Sequence, residues 1–211
     1  RGRSCYAGLD LSSTTDISAL VLLFPPESED DCYYVLPYFW LPEDTIQTRF
    51  RHAGVQYPTW KKQGYLYATP GNVVDYAYIR SEINRLGTLY NILEIGADPW
   101  NATQLLTELS QDGFTVISIR QNYAMLSPPT KEFYKLMLEG KLIHGGNPVL
   151  RWMASNVIVE TDSAGNIKPS KKRAKEKIDG IVASIMALDR CIRNQGVQEE
   201  SVYDSRDLLI L

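Results

Sequence analysis

The 211-residue sequence predicts an α/β fold: a central mixed β-sheet, in which three antiparallel meander strands are continued by parallel strands, flanked by helices on both faces. Three observations predict it. The opening third of the chain holds short apolar or aromatic runs divided by turn-forming residues. Residues 91–121 read strand, helix, strand, the crossover unit that joins parallel neighbours. Towards the end, KEKIDGIVASIMALDRCIR carries Ile178, Ile181, Val182, Ile185, Leu188 and Ile192 at helical spacing, which marks a long final helix.

The elements follow in order. Cys5–Leu11 and Ile17–Phe24 are too short for helices, are apolar on both faces and are separated by a turn-like Ser12–Asp16, so they read as neighbouring strands of a sheet covered on both sides. CYYVLPYFW, Cys32–Trp40, is a third strand, and Pro37 inside it asks for an edge position or a bulge. Leu41–Gly54 reads as a short helix, and Gly64–Gly71 as an extended segment closed by a Pro-Gly turn. A helix follows with Asn72 as its N-cap and Gly87 as its stop. Asn91–Trp100 contains a strand ending at Asp98; a helix from about Asn101 to Asp112 stops at Gly113, and Phe114–Gln121 is the next strand. SPPTKEFYKLMLEGK predicts a helix that begins after its two prolines and ends at Gly140. Pro148 starts a short helix, VIVETDSAGNIK is a hairpin turning at Ser-Ala-Gly-Asn, and the polar tail after Asn194 frays.

Composition narrows the function. The chain is long enough to bury a core without disulfides or metals, and its 44% apolar and 22% charged residues are ordinary for a globular domain. No apolar run approaches the roughly 20 residues of a membrane-spanning helix, so no membrane partner is expected. Three cysteines without a CxxC pair suggest neither a disulfide framework nor a zinc site and fit a reducing compartment. The net charge of −3 gives no general attraction to nucleic acid, yet KPSKKRAKEK, Lys168–Lys177, concentrates positive charge locally.

Meander, helix, strand, helix, strand, further helices and a long closing helix is the order of the ribonuclease H-like fold. Acids fall at telling places in it: Asp10 in the first strand, Asp98 at the end of the first strand after the meander, and Asp179 in the final helix. A carboxylate inside an apolar strand is costly unless paired or liganded. Three acids drawn to one sheet edge would repel unless cations shared them. All-oxygen ligands suit magnesium or manganese, and two such ions about 3.5 to 4 Å apart can activate a water and steady the leaving oxygen of a phosphodiester. The plain structural alternatives are a strand-end acid for Asp10, a helix cap for Asp98 and a solvated helix acid for Asp179. Asp75 is a further possible ligand, although an acid there also suits a helix first turn, and Asp16 reads as a turn residue.

With these residues placed, the chain resembles the C-terminal nuclease domain of the large terminase subunit of tailed bacteriophages, the protein that cuts concatemeric DNA and drives it into the procapsid. The GLDLS strand, the acid-Pro-Trp-Asn of ADPWNA, the HGGNPVLRW segment and the KIDG of the final helix carry the resemblance, which covers nearly the whole chain. It implies a metal-dependent endonuclease acting on double-stranded DNA by a two-metal mechanism, with two Mg2+ or Mn2+ ions held by Asp10, Asp98 and Asp179 and Asp10 bridging both. It further implies an N-terminal ATPase domain in the same full-length protein, the small terminase subunit and the portal as partners, and the cytoplasm of the infected bacterial host as location. Residues 1–4 would be a linker remnant, 5–195 the nuclease domain and 196–211 a polar C-terminal tail. No GxxxxGK[ST] phosphate loop occurs in the sequence, so the ATPase motor is absent from it.

Lys171, Lys172 and His144 are the expected DNA contacts, the lysines by neutralising phosphate and His144 by donating to a phosphate or water. Trp100 and Trp152 are expected in the core. Other readings stay open: a junction resolvase or transposase core on the same fold, a non-catalytic docking module, or an actin/Hsp70-like ATPase fragment. The last would use GLDLSSTT as a phosphate loop, but Ser12 stands where that loop wants glycine.

Overall fold

The computed structural model describes residues 1–12, 14–28, 31–100 and 102–199, without the side chains of residues 52–53 and 195–199. Ser13 of the hydroxyl cluster, the helix start expected at Asn101 and the tail from residue 200 onward lie outside the described residues.

Strands β1 (Ser4–Asp10), β2 (Ser18–Phe24) and β3 (Tyr33–Pro42) form the antiparallel meander, with Asp10 opposite Ala19 and Pro37 opposite Val21. Then come α1 (Glu43–Ala53), α2 (Tyr57–Lys62), β4 (Tyr67–Thr69), α3 (Tyr76–Gly87) and β5 (Asn91–Ala97). The chain continues through α4 (Thr103–Gln111), β6 (Val116–Ser118), α5 (Tyr123–Leu138), β7 (Leu142–Ile143) and α6 (Pro148–Asn156), and ends in the hairpin β8 (Val159–Thr161) and β9 (Ile167–Pro169) and the long α7 (Asp179–Glu199). The main sheet runs β4-β3-β2-β1-β5-β6, with β1, β5 and β6 parallel and β7 beside β3. This is the expected ribonuclease H-like α/β architecture. Pro37 is tolerated because β4 reaches only residues 40–42 of β3 and β7 only residues 33–34, leaving the outer edge at Pro37 without a neighbour among the described strands.

Both faces of the sheet are covered, as the doubly apolar β1 and β2 require. One face packs Val21, Leu23, Val35 and Phe39 against α7 and the residues Trp60 and Met153. The other packs Leu9, Leu20, Leu22 and Ile95 against Ile79, Ile83 and Leu86 of α3 and Leu105 and Leu109 of α4. The approach of α7 is close. A Cβ on Gly180 would stand 2.7 Å from the Phe39 ring and 2.9 Å from the Met153 sulfur, so any larger residue there would have to push those side chains aside.

Four expectations change. The N-cap of α3 is Asp75, whose side chain accepts from Ala77 N–H at 2.9 Å, and not Asn72: the helix starts three residues later than that cap would place it, and the segment before it is tied instead by Val74 N–H to Thr14 O. Helix α5 starts before the two prolines, capped by Asn122 accepting from Met125 N–H, and carries Pro128 and Pro129 inside it. Two ladder donors are missing there, a local loss that burial of Leu126 and Pro129 offsets. Helix α7 is buried all round from Asp179 to Asp189, where a single apolar stripe was expected, because it lies between the sheet and α5 and α6; its backbone runs past Asn194 to Glu199. Residues 2–4, expected as linker, are bonded into the fold: Gly2 N–H donates to Leu89 O and Arg3 pairs with Glu27 and stacks over Tyr34.

Candidate active site

Asp10 is the last residue of β1, and Asp98 follows directly on β5, the parallel neighbour whose Ala97 pairs with Leu9. The register therefore brings both acids to one edge of the sheet. Asp179 opens α7, where the helix dipole favours a negative charge, and the packing of that helix on β1 sets its carboxylate beside Asp10. Asp10 is 2% exposed and Asp179 9%.

One cation joins the two. Lys171 Nζ donates to Asp10 Oδ1 at 2.7 Å, lies 2.6 Å from Asp10 Oδ2 and 3.1 Å from Asp179 Oδ1. Gln121 adds a donor to Asp10 Oδ1 at 3.2 Å. Burial pushes the Asp10 carboxyl up, Lys171 pulls it down and Asp179 pushes it up again, and the balance leaves it raised to about 6. Burial works against the Lys171 charge, but the two carboxylates outweigh it and hold the ammonium well above the ordinary lysine value.

Asp98 is half-buried on the same edge, with Oδ1 accepting from Trp100 N–H at 3.0 Å. Among the described residues no three His, Cys, Asp or Glu side chains form a ready metal cage, so Asp98 stands beside the Asp10–Asp179 pair without closing on it. The residues nevertheless fit a hard cation. All the donors are carboxylate oxygens, and Oδ2 of Asp179 is buried without a hydrogen bond, oxygen capacity that one ammonium does not satisfy.

Next to the pair opens a cleft of about 470 Å³ lined by Ser12, Asp16, Arg49, Lys171, Lys175 and Lys177 among others. Asp16 is held by Lys177 at 2.8 Å, with Arg49 at 4.0 Å. The hydroxyl loop is a tight turn: Ser12 Oγ accepts from Asp16 N–H at 3.1 Å, Ser18 Oγ accepts from Ser12 N–H at 3.0 Å, and Tyr76 Oη donates to Ser12 O at 2.6 Å. The Ser12 and Asp16 amides are thus engaged internally and do not face a phosphate.

The structure treats the remaining sequence expectations differently. Asp75 caps α3, and its pocket holds Arg80, Asn84 and Glu108, not the other acids. His144 sits in a separate groove with Arg3, Tyr34 and Tyr65, away from the acidic pair. Lys172 is exposed beside Lys171. Trp152 packs against Tyr57 and Trp60 as expected, whereas Trp100 is 78% exposed: Pro99 and the Asp98 turn carry its ring off the sheet edge. Sequence reasoning missed Arg49 and Gln121, and missed that Lys171 meets the acids; charge was the only signal Lys171 offered.

Comparison with known proteins gives a consistent set. A family model described as "Terminase large subunit, endonuclease domain" matches residues 1–195. The chain is 34% identical over 188 residues to the terminase large subunit of Enterobacteria phage HK97, covering 88% of this chain and 37% of that protein. It is 33% identical over 199 residues to protein YmfN of Escherichia coli strain K12, covering 90% of this chain and 44% of that one. The chain thus spans less than half the length of these curated relatives. Among solved structures, the HK97 bacteriophage large terminase superposes with a TM-score of 0.82 at 33% identity, over 90% of this chain and 40% of that one. The large terminase nuclease from thermophilic phage G20c with bound magnesium shares the fold at a TM-score of 0.56 and 12% identity, over 88% and 80% of the two chains.

Proposed function

The chain belongs to the family of terminase large-subunit endonuclease domains, and from that premise we propose that it hydrolyses phosphodiester bonds of double-stranded concatemeric DNA with divalent cations, generating genome ends for packaging. The observation that carries this reading is the meeting of two buried carboxylates, Asp10 and Asp179, around one positive charge at the sheet edge that Asp98 shares. Asp10, Asp179 and Asp98 would hold two Mg2+ or Mn2+ ions. Bound there, such ions would lower the pKa of a water and stabilise charge on the leaving oxygen.

The chain's own residues supply the rest. Burial of Asp10 and Asp179 keeps bulk water from competing for their oxygens, and the Ser12 turn fixes the end of β1. Arg49, Lys175 and Lys177 line the adjacent cleft and would hold backbone phosphates, contacts that position a duplex without reading its sequence. An N-terminal ATPase domain, the small terminase subunit, the portal and action in the infected host's cytoplasm complete the proposal. No helix among the described residues is long and apolar enough to cross a membrane.

The test is plasmid cleavage by the 211-residue protein in Mn2+ or Mg2+. Nicking or linearisation that is abolished by EDTA, by Asp10→Asn and by Asp98→Asn is expected. Full activity in EDTA would sink the metal mechanism, and cleavage confined to four-way junctions would favour a resolvase.

A further inference from the structure

We propose that Lys171 is a positioning residue that holds a cation place between Asp10 and Asp179 until a divalent ion displaces it. The proposal rests on the metal-dependent nuclease reading and adds a step to it: loading is an exchange of one cation for another.

Two carboxylates as buried as Asp10 and Asp179 cannot both stay ionised side by side unaided. The Lys171 ammonium, within 3.1 Å of both, supplies the missing charge and keeps their oxygens turned towards a common point. It is an incomplete partner, since Oδ2 of Asp179 is buried without a hydrogen bond. A divalent ion carries twice the charge and accepts ligands from several directions, so it serves these oxygens better.

The anchorage of Lys171 also suits release. Its side chain is 40% exposed and rises from the turn after β9, so its charged tip is what ties it to the acids. Two other lysines of the segment have different partners: Lys168 Nζ donates to Gln121 O and lies over the Tyr123 ring, and Lys177 pairs with Asp16. Once displaced, Lys171 has the 470 Å³ cleft beside it, where DNA phosphates are proposed to run.

An ion that must first expel a lysine binds more weakly than the bare ligands allow, by the fraction of molecules in which the lysine is already out. Lys171→Met should therefore bind Mn2+ in calorimetry at least about tenfold more tightly than the unmodified protein, and should gain more thermal stability from Mn2+. Lys171→Arg, which keeps the charge, should not tighten binding. The unmodified protein gives an independent readout. Acetylation by an N-hydroxysuccinimide ester, mapped by mass spectrometry, should speed up severalfold at Lys171 when Mn2+ is added and stay constant at exposed Lys172. Unchanged or slower acetylation of Lys171 on Mn2+ binding would overturn the exchange, as would equal Mn2+ affinity in Lys171→Met. Absence of Mn2+ binding in every variant would instead take down the nuclease reading along with it.

Discussion

Gly8 of β1 lies directly against the backbone of Ala183 in α7: a Cβ on Gly8 would stand 1.8 Å from the Ala183 carbonyl oxygen. This contact sets how near the final helix comes to the first strand, and so how near Asp179 comes to Asp10. Because the obstacle is backbone, it cannot move aside as a side-chain tip would. Gly8→Ala is expected to destabilise the domain by about 3 kcal/mol or more, read as the urea midpoint.

Asp75 separates capping from metal binding. As the α3 N-cap it should cost about 1 kcal/mol on replacement by Ala while leaving metal-dependent cleavage intact. Lost cleavage with unchanged stability would return Asp75 to the ligand set.

Asp189 is 2% exposed and pairs with Arg190 at 3.2 Å and Arg193 at 2.8 Å, while Arg190 also holds Glu94 at 2.7 Å. This network pins α7 to β5 well away from the acidic edge. Arg190→Ala leaves Glu94 without its counter-charge and Asp189 with Arg193 alone, and is expected to cost about 3 kcal/mol in chemical denaturation.

The raised Asp10 carboxyl gives a pH dependence with a definite sign. Its folded value, about 6, lies above the ordinary 3.8, so in metal-free protein its contribution to stability is fully present below about pH 4. That contribution is lost as the pH rises through 6. The stability of the unmodified protein relative to Asp10→Asn should thus increase from pH 8 to pH 4, measured by thermal melts in EDTA. Divalent ions should bind more weakly below pH 6, where they compete with the proton.

Trp100 makes no core contribution to lose. Trp100→Ala should change stability by no more than about 0.5 kcal/mol. In acrylamide quenching the same variant should lack the most accessible part of the tryptophan emission, since Trp40 and Trp60 are buried and Trp152 is packed among aromatic rings.

The strands were legible because their pattern is local. β1 and β2 are apolar on both faces, and such runs have few alternatives to a doubly covered sheet. Caps and boundaries were less so. Asn72 and Asp75 are both good N-cap residues, and the choice fell to the Thr14–Val74 backbone bond across the fold. At α5, prolines that usually open a helix sit inside one, because the Asn122 cap and burial of Leu126 and Pro129 outweigh two lost ladder bonds. Trp100 was misread as core because its composition and its turn say opposite things, and the turn prevailed.

By itself the sequence determined the order of the main strands and helices, though not the short α2 and β7, and the three positions where acids meet the ends of apolar elements. Periodicity and the cost of burying a charge act over a few residues and can be read there. Only the tertiary structure decided that Asp10 and Asp179 share one ammonium, that Lys171 supplies it, that Asp98 stands beside them and that His144 lies in a different groove. Those facts depend on the register of β1 with β5 and on the depth to which α7 settles against Gly8. Close packing between residues far apart in the chain fixes both, and no local pattern encodes it.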